Sequence, residues 1–84
     1  MELHKIRCDE IRTDPRSRGY SQAELLPLAE SVRMYGILRP VMLRETERGY
    51  VIVHGERRWR AAQMAGLVEI PSLVVQDLRT DVAA

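Results

Sequence analysis

Tyr50-Val51-Ile52-Val53-His54-Gly55-Glu56-Arg57-Arg58-Trp59-Arg60-Ala61-Ala62 is the stretch on which the fold turns. Its first four residues are an apolar, β-branched run suited to a strand. From Glu56 the pattern becomes helical and closes at Gly66. A strand that ends at glycine and enters a helix leaves unpaired backbone N–H groups at the turn, with the positive end of the helix dipole behind them. Such a turn attracts anions. Arg57, Arg58 and Arg60 add permanent charge and forked donors that match phosphate oxygens. Cations in a first turn oppose the dipole, so their presence there implies an anion to bind.

Upstream, Val41-Met42-Leu43-Arg44 reads as the partner strand, joined to Tyr50–His54 by a polar loop of about five residues, Glu45 to Gly49. Ser21-Gln22-Ala23-Glu24 is a capping box. The helix it starts carries Leu25, Leu28, Ala29, Val32 and Tyr35 on one stripe, with Glu30 and Arg33 off it, and Gly36 fits its left-handed end. Pro27 interrupts the pattern: it removes one backbone bond and crowds the carbonyl of Ala23. Either the helix bends there, or a separate turn precedes a helix beginning at Pro27. Leu3 to Arg7 reads as a first strand and Ile70 to Val75 as a last one, where Pro71 suits a strand start or an edge. Residues 13–19 form a loop by their turn chemistry. The order is β-α-β-β-α-β. It predicts a small α+β domain, a mixed sheet covered by two helices, over residues 1–78, with 79–84 as a flexible tail.

Eighty-four residues permit one modest core. The 45% hydrophobic and 30% charged content is that of a soluble globule. No run approaches the ~20 apolar residues of a membrane span, and the first five residues lack the apolar core of a signal peptide, so the expected location is the cytoplasm. Cys8 is the single cysteine, which excludes an internal disulfide and points to a buried, inert thiol. Thirteen basic residues nearly balance twelve acidic ones, for a net charge of +1, so broad nucleic-acid affinity is not indicated.

Two segments resemble signatures of the ParB N-terminal domain. Glu24 to Pro40, written ELLPLAESVRMYGILRP, is similar to the first, and Gly55 to Ala62, written GERRWRAA, to the second. The Asp14-Pro15-Arg16 loop and the Ile70-Pro71 strand match in order and spacing, so the likeness runs from about Ile6 to Leu78. The resemblance implies a CTP-binding fold of chromosome and plasmid partition proteins, in a superfamily with sulfiredoxin and a free-serine kinase. It implies that Gly36, Arg39 and Pro40 line one side of the phosphates, that Gly55, Glu56, Arg57, Arg58 and Arg60 line the other, and that Mg²⁺ accompanies the nucleotide. In that family a helix-turn-helix domain reads DNA and a further tail dimerises. Neither lies within these residues, and the third phosphate motif belongs to that further region. DNA would therefore be reached through a separate domain or protein, and a nucleotide-promoted homodimer is the expected assembly. Sulfiredoxin uses a cysteine in the equivalent turn, where this chain has Glu56.

Each residue also has a plainer role. Glu56 is favoured at a helix N-terminus and can pair with Arg60 one turn on. Its functional role is to hold Mg²⁺ or orient water at the phosphates, and it is the candidate catalytic group. The arginines suit a solvated face as well as a ligand, and two of the three are expected to face one. Trp59 reads as a core anchor, Tyr35 and Tyr50 as core-edge residues, and His54 as a strand-end histidine. Any CTP hydrolysis should be slow, since Glu56 is the one well-placed carboxylate. A metal-dependent nuclease needs two or more clustered carboxylates, and the acids here are scattered. A phosphotransferase needs a general base, for which Glu30 is the candidate. A ligand-free interaction module is the remaining alternative.

Overall fold

The computed structural model describes residues 2–37 and 39–76. The tail expected over residues 79–84 and the motif residue Leu38 lie outside the described residues. Strand β1 (Glu2–Arg7) runs into a 3-10 turn (Cys8–Glu10) and the short β2 (Ile11–Arg12). Helix α1 (Gln22–Tyr35) follows, then β3 (Val41–Thr46), β4 (Gly49–His54), α2 (Glu56–Met64) and β5 (Glu69–Val75). The strands form one mixed sheet in the order β1-β5-β3-β4-β2. The β1/β5 and β3/β4 pairs are antiparallel, while β3/β5 and β2/β4 are parallel.

Core packing follows from strand alternation and the two helical stripes. Val41 and Leu43, two apart on β3, point to one face, and Leu43 registers with Ile52 on β4. These residues and Ile70 join Ala29 and Val32 of α1 and Trp59, Ala61 and Ala62 of α2 in one buried cluster. Trp59 is the anchor its sequence context implies: it is buried, and its Nε1 donates to the carbonyl of Cys8 at 3.1 Å. Replacing Trp59 with phenylalanine is expected to cost about 1–3 kcal/mol, from the lost indole volume and one hydrogen bond, read as a lower urea midpoint. An unchanged midpoint would remove Trp59 from the core account. Cys8 is buried as expected; its Sγ lies 3.6 Å from the carbonyl oxygen of Leu67, and burial pushes the thiol pKa up.

Three expectations change, and the alternative left open at Pro27 is decided. The hairpin is tighter than a five-residue loop: Thr46 registers with Gly49, leaving only Glu47 and Arg48 at the turn. Polar residues at strand ends pair as well as apolar ones, because ladder bonds are made by the backbone. Tyr35 is 66% exposed rather than part of the buried stripe. Periodicity places it on the right side of α1, but packing ends at Val32. Helix α1 is continuous through Pro27, with the capping box of Ser21 and Glu24 intact at its start. Ala23 and Pro27 are both exposed, so water can take the carbonyl that proline leaves unpaired. Finally, β2 is an added strand. Its two residues are too few for periodicity to reveal, and it is held by Arg12, which donates to the carbonyl of Arg48 at 2.6 Å and to Thr46 Oγ1 at 3.0 Å. Pro71 sits near the start of β5, where the parallel ladder with β3 has not yet begun; that ladder starts at Ser72. Among the described residues no helix is long and apolar enough to cross a membrane.

Candidate functional site

The turn between β4 and α2 is built around Gly55. Its φ of 96° and ψ of 25° lie in the left-handed region, which a side chain makes unfavourable. A Cβ there would stand 2.9 Å from Val41 Cγ1, and Val41 is fully buried. Glycine lets β4 turn sharply into α2 while lying against β3. It also offers no side chain to cap the helix. The first intrahelical bond runs from Trp59 N to the carbonyl of Gly55 at 3.0 Å. The amides of Glu56, Arg57 and Arg58 precede it, where a helix has no internal acceptors.

Two cavities open beside these amides, on the helix side of the sheet. One, about 270 Å³, is lined by Tyr20, Leu28, Gly55, Glu56, Arg57 and Arg58. The other, about 280 Å³, is lined by residues of α1 and the segment after it, Gly36, Ile37 and Arg39 among them, and again by Arg58. Leu28 and Arg58 belong to both walls. The two glycine-centred segments, fifteen to twenty residues apart in sequence, thus border adjoining hollows with one arginine between them. Arg58 is half-buried, and its Nη1 lies 3.5 Å from the carbonyl of Pro40, a long contact that ties the two segments loosely. Gly36 closes α1 with φ 75° and donates its N–H to the carbonyl of Val32.

The candidate residues divide. Gly36, Arg39, Gly55, Glu56, Arg57 and Arg58 line one cavity or the other. Pro40 contributes its carbonyl to Arg58. Arg60 lines neither helix-side cavity: its Nε donates to Glu56 Oε2 at 2.9 Å, and its guanidinium lies 5.4 Å from the Trp59 ring. The pairing follows from spacing, because on a helix Arg60 lies one turn beyond Glu56, on the same side. Glu56 is itself largely covered, at 16% side-chain exposure. His54 is an exposed residue at the end of β4.

Residues the motifs did not mark also belong here. Tyr20 and Ser31 line the cavities, and Ser17 Oγ donates to Glu56 Oε2 at 2.7 Å. The signal for Ser17 in sequence was only its place in a turn-rich loop, and Tyr20, between that loop and the capping box, carried none. That loop is braced by its own charges. Asp14 accepts from the backbone and guanidinium of Arg16, which holds its carboxyl down at about 2. The bracing is present above the ordinary carboxylate range and is lost as pH falls toward 2. Arg18 packs over the Tyr20 ring at 4.3 Å and pairs with Glu24 at 3.4 Å. A third, larger hollow of about 630 Å³ lies against the strands and the loop, bordered by Asp14, Arg16, Ser17, Arg44, Val51 and Glu56 among others. Among the described residues no three of His, Cys, Asp and Glu gather as a metal cluster.

The fold is shared with known proteins. A curated relative, the probable chromosome 2-partitioning protein ParB of Deinococcus radiodurans, is 52% identical over 78 residues, covering 89% of this chain and 26% of its own length. The crystal structure of C-terminally truncated chromosome-partitioning protein ParB from Caulobacter crescentus, complexed with CTP-gamma-S, superposes with a TM-score of 0.82 at 33% identity. That match covers 92% of this chain and 46% of the other. Sulfiredoxin from Arabidopsis thaliana superposes with a TM-score of 0.78 at 25% identity over 98% of both chains. The chain spans about a quarter of the length of the curated relatives it matches. The ParB N-terminal domain model matches residues 1–84, and with the strand, glycine turn and arginine-bearing helix in place, the chain belongs to the ParB N-terminal domain family.

Proposed function

We propose that residues 1–78 form a module that binds a nucleoside triphosphate, CTP with Mg²⁺, and serves chromosome or plasmid partition or its regulation in the cytoplasm. The observation that carries this is the pair of adjoining cavities, with Gly55, Arg57 and Arg58 on one side, Gly36 and Arg39 on the other, and Arg58 in both walls. Backbone amides at the start of α2 donate to phosphate oxygens, and the two guanidiniums neutralise their charge. The ParB of Caulobacter crescentus, similar over nearly the whole of this chain, has been crystallised with CTP-gamma-S. Gly36 and Pro40 keep the first segment close enough for Arg39 to reach the same ligand.

Glu56 suits Mg²⁺ because that ion is commonly held by one or two carboxylates together with substrate phosphates, and needs no protein cage. Bound there, Mg²⁺ supplies charge neutralisation at the phosphates. Hydrolysis, where it occurs, is slow, since among the described residues Glu56 is the one acidic group in the walls of the two helix-side cavities. Arg60 acts through Glu56 by fixing its carboxylate. DNA is engaged by a separate domain or protein, as the near-neutral charge of this chain suggests, and nucleotide promotes pairing of two copies.

Isothermal calorimetry with CTP, ATP and GTP, each with and without Mg²⁺, tests this reading. CTP with Mg²⁺ is expected to saturate at micromolar concentrations and to bind at least about tenfold more tightly than ATP or GTP, a difference of about 1.4 kcal/mol. Absence of nucleotide heat at high micromolar protein would refute it.

A further inference from the structure

Glu56 borders both the helix-side cavity and the hollow against the sheet, and two donors meet on one of its carboxylate oxygens. Ser17 Oγ donates to Oε2 at 2.7 Å, and Arg60 Nε donates to the same oxygen at 2.9 Å. Ser17 lines the sheet-side hollow, and neither Ser17 nor Arg60 lines the helix-side cavities. The serine hydroxyl is oriented in turn: it accepts from Gly19 N at 3.2 Å, which directs its single proton to Glu56. The Ser17 amide donates to the carbonyl of Asp14 at 2.9 Å, so the loop fixes the hydroxyl from both sides.

A carboxylate in the first turn of a helix is drawn to the free amides there. Left loose, Glu56 would compete with phosphate for the N–H groups of α2 and would repel it across a few ångströms. We propose that Ser17 is a positioning residue which, with Arg60, holds the Glu56 carboxylate off the amides of α2, so that a phosphate finds them available. This rests on the triphosphate reading above and assigns a role to a loop that none of the site motifs contains. Mg²⁺ binds carboxylate and phosphate together, so it converts the competitor into a ligand. The clasp therefore matters most when Mg²⁺ is absent.

The test is Ser17→Ala and Ser17→Thr, titrated with CTP and with inorganic tripolyphosphate, each in Mg²⁺ and in EDTA. Affinity of Ser17→Ala in EDTA is expected to fall about fivefold, with less than about a twofold change in Mg²⁺ and recovery in Ser17→Thr. Equal losses in both conditions would reduce Ser17 to a structural residue and overturn the proposal, as would no loss in either. Nitrogen-15 NMR of the ligand-free protein separates this from the nucleotide reading. Ser17→Ala should speed solvent exchange of the Arg60 Nε–H, because the oxygen it bonds loses its second anchor. If wild type binds neither CTP nor tripolyphosphate, the nucleotide reading fails while the NMR result still decides the clasp; an unchanged Arg60 Nε–H would refute it.

Discussion

Gly55→Ala is expected to destabilise the domain by about 2–4 kcal/mol and to abolish nucleotide binding at concentrations that saturate wild type. Two effects add. Alanine at φ 96° carries roughly 1–2 kcal/mol of backbone strain. Its Cβ would also meet Val41 Cγ1 at 2.9 Å and Val41 Cβ at 3.2 Å, and Val41 is wholly buried on β3. Overpacking of that kind costs about 1–3 kcal/mol. Reduced freedom of the unfolded chain returns about 0.4–1 kcal/mol. A domain of this size has about 4–12 kcal/mol in all, so the variant remains folded in the cold and melts early. The measurement is a urea titration with an unchanged slope and a lowered midpoint. Wild-type stability would show that the turn accepts a side chain, and the tight approach of β4 to β3 would lose its explanation.

Arg58→Ala is the second large effect, and it falls on binding rather than on folding. Arg58 stands in the walls of both helix-side cavities, and among the described residues its side-chain hydrogen bond is the long 3.5 Å approach to the Pro40 carbonyl. Its guanidinium thus has donors to spare for a ligand. Loss of a charge-assisted, two-pronged contact to phosphate is worth about 2–3 kcal/mol, or roughly 30- to 150-fold in affinity. Arg58→Lys should recover only part of it, because an ammonium cannot make parallel bonds. Arg33→Ala, on the exposed side of α1, is the control and should stay within about twofold. Calorimetry decides between them. Equal affinities for Arg58→Ala and wild type would move the anion away from the junction of the two cavities.

Much of the fold was legible because its signals are local. A capping box, a glycine with the need for positive φ, an alternating apolar run and a stripe every three to four residues each report on a few adjacent bonds. The boundaries of α1, α2, β4 and β5 follow within a residue or two. Failures occurred where the deciding partner is distant. The two-residue β2 rests on its pairing with Tyr50 and Val51 of β4 and on Arg12, which reaches Arg48 and Thr46 on the hairpin. Tyr35 has helical spacing but lies 66% exposed, beyond the point where the described residues of α1 are buried. Pro27 survives in α1 because the carbonyl it orphans is on the wet side.

The sequence by itself determined that a strand meets a helix at Gly55, that arginines follow, and that a second glycine-centred segment lies upstream; these are properties of neighbours along the chain. Only the tertiary structure decided how the charges divide. Arg58 faces the cavities, while Arg60 and Ser17 hold Glu56 from outside them. That division depends on which side of α2 lies against α1 and which against the loop of residues 13–19. A linear spacing specifies an angle around a helix axis, and only packing specifies what waits at that angle.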